Sequence, residues 1–119
     1  MYARLTQYHV VPERLKHFQA SFQTAVSHAR EQRGYRALIA LRGDASATSV
    51  EVRIISIWNS IEDLQAVEQN FYFYQALAKV MASSKGFPLI EGQEVLAADF
   101  GGQPGTRNDP SMSSEETQF

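Results

Sequence analysis

The sequence has no cysteine among its 119 residues. Disulfide bonds, thiolate catalysis and metal sites with cysteine ligands are therefore excluded. No apolar run approaches the roughly 18–20 residues that a membrane-spanning helix needs. The 11 Lys and Arg residues are balanced by 13 Asp and Glu residues, a formal charge of −2. This charge gives no reason to expect nucleic acid or a membrane as a partner. The opening residues alternate apolar and polar side chains instead of forming a signal peptide, so we expect a cytoplasmic protein.

Motifs for phosphate, metal and nucleophile chemistry are missing as well. The glycine-rich stretch 101–105 follows the predicted last strand and opens no helix, so it does not resemble a phosphate-binding loop. His17 and His28 lie about 16 Å apart along one predicted helix, too far apart to share a metal ion. Ser60 is better explained as a helix cap than as a nucleophile, because no glycine-flanked turn surrounds it. The sequence therefore predicts neither a metal nor a triad-type hydrolase.

Hydrophobic periodicity predicts a strand, a helix and a strand hairpin in the first half of the chain. The first strand covers residues 2–11, and Pro12 suits the first turn of an amphipathic helix of about five turns. Gly34 is predicted to form a left-handed cap after this helix. A strand over 35–42 and a β-branched, central strand over 50–59 follow, joined by a turn-rich segment. In the second strand one face is predicted to carry Tyr35, Ala37, Ile39 and Leu41.

The second half of the pattern predicts a helix in two pieces and a last strand. Ser60 with Asp63 resembles a capping box that starts the first piece. Asn70 marks a break, and a further helical stretch covers about 72–84. The last strand is predicted over 89–100, with Ile90, Leu96, Ala98 and Phe100 on one face.

The resulting βαββαβ order is that of an α+β, ferredoxin-like sandwich with a four-stranded antiparallel sheet. The helices cover one face of this sheet, and the other face still carries apolar side chains, namely Leu5, Leu38, Ile55, Ile57, Val95 and Ala97 or their neighbours of opposite parity. A second sheet from a partner subunit is the simplest cover, so we predict a homodimer. The domain is predicted to span residues 1–100, and residues 101–119 form a polar C-terminal tail.

The aromatic residues carry the most information about function. Trp58 ends the central strand, and the run Phe71-Tyr72-Phe73-Tyr74 points around most of a helix circumference. Two interpretations stay open. Trp58 and Phe73 fill the core while a tyrosine is exposed, or the aromatic rings line a pocket for a flat organic ligand.

These residues resemble the antibiotic biosynthesis monooxygenase family of the dimeric α/β-barrel superfamily. The resemblance covers about residues 2–100. It rests on Val10-Val11-Pro12-Glu13, on Gly34-Tyr35 and most of all on Ile55-Ser56-Ile57-Trp58-Asn59-Ser60-Ile61-Glu62-Asp63-Leu64. It implies a homodimer, a dimeric α/β barrel, with a cavity in each subunit between helices and sheet. Known members include cofactor-free oxygenases of polycyclic quinols, quinol oxidases and haem-degrading enzymes, and other members have no established activity.

The polar residues of those enzyme branches are replaced in this sequence. The quinol-oxygenase branch surrounds its tryptophan with an Asn, a Tyr and a His, and the haem-degrading branch uses an Asn, a Trp and a His. At the matching positions this chain has Ile54, Leu64, Leu41, Thr6, Val67 and Leu77. None of these six side chains is able to deprotonate a quinol.

The resemblance implies a cofactor-independent monooxygenase or quinol-oxidising enzyme that acts on an aromatic, polycyclic small molecule. Trp58, Arg4 and Tyr72 are the candidate catalytic residues, with Arg4 holding a phenolate and Tyr8 or Tyr72 donating to a carbonyl. The predicted substrate-binding residues are Thr6, Tyr8, Leu41, Ile54, Ser56, Leu64, Val67, Phe71 and Leu77. No cofactor is expected. The alternatives are a non-catalytic dimeric small-molecule-binding module, or an isomerase or cyclase on the same scaffold.

Overall fold

The computed structural model describes residues 1–86 and 88–101. They form a four-stranded antiparallel sheet in the order β2-β3-β1-β4, with three helices. The elements are β1 (Tyr2–Val10), α1 (Leu15–Arg30), β2 (Tyr35–Ala45), β3 (Val50–Trp58), α2 (Ile61–Glu68), α3 (Phe71–Met81) and β4 (Leu89–Glu94). This confirms the predicted ferredoxin-like α+β sandwich. Of the predicted tail, only its first residue lies within the described chain.

The two central strands set the register of the core. In β3 every second side chain is buried, from Val50 to Trp58. In β1, Tyr2 lies opposite Trp58 and Val10 lies opposite Val50, so even-numbered residues of both strands share one face. This is the face that packs against the helices, and we call it the inner face. The odd-numbered residues lie on the outer face.

Strand β2 corrects one prediction about side-chain faces. A register irregularity lies between Tyr35 and Ala37, so Tyr35 pairs with Trp58 while Ala37 pairs with Ile57. Tyr35 therefore lies on the inner face, opposite to the predicted arrangement with Ala37. Leu38 also lies on the inner face, where it pairs with Ser56, and not on the face left for a partner. A bulge breaks the period of two, and simple alternation does not reveal it.

The helix boundaries follow from local capping. A 3-10 turn over Pro12–Arg14 precedes α1. The Ser60 Oγ accepts a hydrogen bond from the Asp63 N–H at 3.1 Å, which confirms Ser60 as the N-cap of α2. The Asn70 Oδ1 accepts one from the Phe73 N–H at 3.0 Å, so the predicted break is the N-cap of α3.

Strand β4 is shorter than predicted, because it ends at Glu94 and not at residue 100. Glu94 lies opposite Tyr2, the first residue of β1, so no partner strand continues beyond this pair. The Val95 N–H donates one further hydrogen bond to the Met1 carbonyl at 3.0 Å. The chain then crosses towards β2, where the Arg36 guanidinium lies 5.4 Å from the centre of the Phe100 ring.

Two apolar clusters fill the space between the inner face and the helices. The Trp58 cluster consists of Ala29, Trp58, Leu64, Val67 and Phe73. The Tyr8 cluster consists of Tyr8, Val10, Phe18, Ala25, Val50, Val52, Ile54, Ala76 and Val80. The two clusters lie at opposite ends of β1 and β3.

The outer face carries exposed apolar side chains. Ile39, Leu41 and Leu89 are exposed, and Leu5 and Ile55 are half-buried. An open groove of about 330 Å³ runs over this face. The predicted apolar outer face is therefore present, although Val95 and Ala97 lie beyond the end of β4.

Candidate functional site

Trp58 is the centre of the site, at the end of the central strand. Its side chain is fully buried and packs against Leu64 and Val67 of α2. The Tyr35 ring meets the indole edge to face, with ring centres 5.8 Å apart. Among the backbone groups and side chains that the structure describes, none accepts a hydrogen bond from the indole Nε1. The apolar packing is therefore complete, and one polar group is left without a partner.

Arg4 lies beside Trp58 on the inner face. It is opposite Ser56 in β3, and Gly92 of β4 lies on its other side. Among the residue pairs that face inward, the Arg4–Ser56 pair is next to the Tyr2–Trp58 pair. The Arg4 Nη1 forms an ion pair with the Glu68 carboxylate at the end of α2. The Arg4 Nε, in contrast, is buried and has no hydrogen-bond partner within the described ranges. Nη1 is therefore engaged, whereas Nε is enclosed without a partner among the described residues.

These two N–H groups account for two of the three buried, unpartnered side-chain polar atoms among the described residues. The third is the Ser83 hydroxyl near the other end of the sheet. An unsatisfied buried donor costs about 1–3 kcal/mol. Indole and Arg Nε–H are donors only, so each of them needs an acceptor such as an oxygen atom. The arrangement is chemically suited to hold a carbonyl or an oxyanion.

Access to Arg4 is from the side of β4. Every residue of β4 is exposed, and Ile90 is 55% exposed. Arg4 and Thr6 are half-buried behind it. A Cβ at Gly92 would approach the Tyr2 hydroxyl to 2.5 Å, so the Tyr2 ring lies over this glycine. We give the name Arg4 cleft to the part of the inner face that lies around Arg4, between the Tyr2 ring and the Glu68 carboxylate.

A family comparison agrees with this architecture. The family model described as antibiotic biosynthesis monooxygenase matches residues 1–79. The chain belongs to the antibiotic biosynthesis monooxygenase family. The resemblance drawn from the strand-three tryptophan string is confirmed. No curated protein matches the chain in sequence.

Solved structures of antibiotic biosynthesis monooxygenases share the fold. One such monooxygenase superposes with a TM-score of 0.68 at 12% identity, over 82% of this chain and 100% of its own. SnoaB, a cofactor-independent oxygenase from Streptomyces nogalater, gives 0.66 at 12% identity, over 82% of this chain and 95% of its own. A conserved protein from Methanosarcina mazei Go1 gives 0.67 at 11% identity, over 78% and 91%. These TM-scores establish a common fold.

Most of the residues predicted from the family resemblance lie together. Leu64 and Val67 are buried against Trp58, and Leu77 packs against the same cluster. Ser56 is buried opposite Arg4, and Thr6 lies opposite Ile54 one pair further along β1. These side chains all face the space between the inner face and the helices. Eight of the predicted residues therefore lie in one region between the sheet and the helices: Arg4, Thr6, Ile54, Ser56, Trp58, Leu64, Val67 and Leu77.

Four predicted site residues lie elsewhere. Leu41 lies on the outer face opposite Arg53, where it is 48% exposed. Phe71 and Tyr72 are each 65% exposed, and the Tyr72 ring stacks on His28 with centres 6.4 Å apart. Tyr8 belongs to the other cluster, where it meets Phe18 edge to face.

Burial also affects the phenol of Tyr8, which the family resemblance predicts as a hydrogen-bond donor to a substrate carbonyl. Desolvation raises the pKa of Tyr8 from 10.0 to about 12. The hydroxyl therefore stays protonated at neutral pH. Tyr8 lies opposite Val52, further along β1 than Arg4, which lies opposite Ser56.

Glu68 is the residue that the family resemblance did not indicate. It lies four positions after Leu64, so both share one face of α2. A carboxylate on the apolar side of an amphipathic helix is the signal that points to it.

Among the described residues no group of three or more metal-ligating side chains is found. None of the helices in that part of the chain is long and apolar enough to cross a bilayer.

Proposed function

We propose that this protein is a cofactor-independent oxygenase that binds an aromatic quinol in the Arg4 cleft. The observation that carries the proposal is the pair of buried, unpartnered donors, Arg4 Nε and Trp58 Nε1. They lie on adjacent strands, next to the buried Ser56. The aromatic walls come from Trp58, Tyr35 and Tyr2. The name of SnoaB, a structural neighbour, is consistent with such a reaction class.

The chemistry of such an enzyme depends on anion stabilisation. Without a flavin or metal, oxygen reacts with a carbanion of the substrate, which forms when the quinol loses a proton to a water molecule. Donors aimed at the quinol oxygen stabilise the negative charge as it develops. In the proposed site the Arg4 Nε–H and the Trp58 indole N–H serve as these donors. Loss of one donor of this kind typically lowers kcat by about 10²–10³-fold.

A second candidate is a binding module of the same family without catalysis. It is favoured by the apolar residues at the matched family positions, since Ile54 and Leu64 are buried beside the donors. Such side chains line a pocket without supplying a proton acceptor. Both candidates share the ligand site, so binding and turnover have to be measured separately.

The deciding experiment is oxygen uptake by the purified, metal-free protein with naphthalene- and anthracene-type hydroquinones. Each rate is compared with the autoxidation rate of the same compound. The variants are Arg4→Gln and Trp58→Phe, which remove the proposed donors. Arg14→Gln is the matched control, because Arg14 is exposed in the turn before α1.

The oxygenase proposal expects uptake that saturates with substrate and falls about 100-fold in either donor variant. Arg14→Gln should match the parent protein. Binding without uptake across the panel favours the binding module instead. The role of Tyr72 stays a prediction, and Tyr72→Phe in the same assay tests it. Unchanged turnover there would remove Tyr72 from the site.

We propose in addition that a second copy of the chain covers the outer face. Leu89 is 65% exposed there, and Ile39 and Leu41 lie across the same face. Monomers rarely leave such contiguous apolar area in water. A solution mass of one chain, measured by light scattering, would contradict the homodimer.

A further inference from the structure

The two sides of the Arg4 guanidinium are used differently. Nη1 is held by the Glu68 carboxylate, whereas the buried Nε has no partner in the described part of the chain. Both side chains of the ion pair are about one third exposed. Glu68 thus competes with any ligand for the Arg4 guanidinium. The buried donors without a partner among the described residues are the Arg4 Nε–H and the Trp58 indole N–H.

The electrostatic consequence is a cleft without net positive charge. The Glu68 carboxylate cancels the Arg4 guanidinium at short range. Glu94 adds a second carboxylate at the same edge, because it lies opposite Tyr2 on the inner face. An anionic ligand that approaches Arg4 competes with Glu68 for the guanidinium and is repelled by two carboxylates. A neutral carbonyl or phenol accepts from the remaining N–H groups and leaves the ion pair intact.

We infer that Glu68 is the specificity-determining residue of this site, and that it selects neutral aromatic carbonyl or phenol ligands over anions of the same shape. This inference rests on the proposed ligand site in the Arg4 cleft. It adds that the substrate enters uncharged and that negative charge develops only after binding. Glu68 acts through Arg4 and is a positioning and charge-setting residue.

The matched probes are 2-acetonaphthone and 2-naphthoate. They present the same ring system and carbonyl, and they differ in a methyl group against a charged oxygen. The chain has one tryptophan. In ¹⁵N-labelled protein, a single indole N–H signal therefore reports an acceptor at Trp58 Nε1. Titration of this signal gives the affinity for each probe without any need for turnover.

The variants remove the carboxylate in two ways. Glu68→Gln keeps the shape of the side chain, and Glu68→Ala removes the group that occupies Arg4. Glu62→Gln is the control, since Glu62 is an exposed carboxylate in the first turn of the same helix. All three variants change the net charge by +1. A purely long-range electrostatic effect would therefore appear in the control as well.

The parent protein should bind 2-acetonaphthone more tightly than 2-naphthoate. Glu68→Gln and Glu68→Ala should strengthen binding of 2-naphthoate about tenfold, the equivalent of one charge-assisted hydrogen bond. They should change the affinity for 2-acetonaphthone less than about twofold, and Glu62→Gln should change either affinity less than about twofold.

The failures of the two proposals are distinguishable. If 2-acetonaphthone shifts the indole signal but the preference is the same in all variants, the role of Glu68 is wrong and the ligand site stands. A preference for 2-naphthoate in the parent protein overturns the inference in the same way. If neither probe shifts the indole signal in any variant, the ligand site and this inference both fail.

Discussion

The two clusters between sheet and helices are built in the same way but differ in their polar groups. Both rest on β1 and β3, and both bury a large aromatic side chain, Phe18 in one and Trp58 in the other. The Tyr8 cluster is apolar apart from one phenol. The Trp58 cluster adjoins two unpartnered donors and an ion pair. One end of the core contributes mainly to stability, and the other gives up stability for a site able to bind an acceptor.

The largest expected effect is on stability at the Tyr8 end. Phe18→Ala removes a side chain that is 1% exposed and should lower the free energy of unfolding by about 3–5 kcal/mol. Urea unfolding followed by circular dichroism measures this. In protein that is still folded, the probe-induced shift of the Trp58 indole signal should be unchanged. A loss of probe binding in folded Phe18→Ala would show that the two ends are not independent.

The second prediction concerns pH. The pKa of Tyr8 is raised to about 12 in the folded protein, against 10.0 for the free side chain. The unfolded chain therefore loses this proton first as the pH rises. The stabilising contribution is fully present below pH 10 and is lost between about pH 10 and 12, a decrease of about 2–3 kcal/mol. Tyr8→Phe should flatten this part of the stability profile. An identical alkaline decline in Tyr8→Phe would assign it to other groups.

A smaller effect on stability is expected at the N-terminus of α2, the helix that packs against Trp58. Ser60→Ala removes the N-cap of α2 and should cost about 1 kcal/mol. Asn70→Ala is the matched change at the N-cap of α3 and should cost a similar amount. Thermal unfolding compares the two. Ser60→Ala should also weaken binding of 2-acetonaphthone, because α2 carries Leu64 and Val67, which pack against Trp58. Equal probe binding in both cap variants would separate helix capping from the site.

The smallest expected effect on stability is at the Trp58 end. Trp58→Phe loses buried apolar area but also removes an unpartnered donor, and an unsatisfied donor costs about 1–3 kcal/mol. The net change should be within about 1 kcal/mol in urea unfolding, far below that of Phe18→Ala. A loss of 3 kcal/mol or more would mean that the indole N–H is satisfied in the native protein.

The fold could be predicted from sequence because its local signals agree with its packing. The alternation in β3, the Ser60 cap and the Asn70 break all appear in the structure. The errors lie where the structure depends on pairing between strands that are distant in the sequence. The face of Tyr35 depends on a bulge against β3, and the end of β4 depends on where β1 begins. Neither feature leaves a periodic signal in its own segment.

The site could be predicted only in part. Trp58, Arg4 and Ser56 follow from strand parity and the family resemblance. Leu41 was placed by matching to a family position, and the structure puts it on the outer face. Tyr72 was assigned from an aromatic run whose exposed and buried members cannot be separated by sequence. Glu68 was missed because a single glutamate in a helix usually faces solvent.

The contact between Gly34 and Asp63 restricts which sequences this fold accepts. Gly34 has a φ of +83°, and its carbonyl accepts the Asn59 N–H at 2.8 Å. Asparagine is often tolerated in this left-handed conformation. Here a Cβ at position 34 would overlap the Asp63 carboxyl, so asparagine is excluded by space although the backbone conformation alone would allow it. Among homologues, residues 34 and 63 should therefore covary, with a side chain at 34 only where 63 is small. This coupling would give double variants of the two positions a stability far from additive.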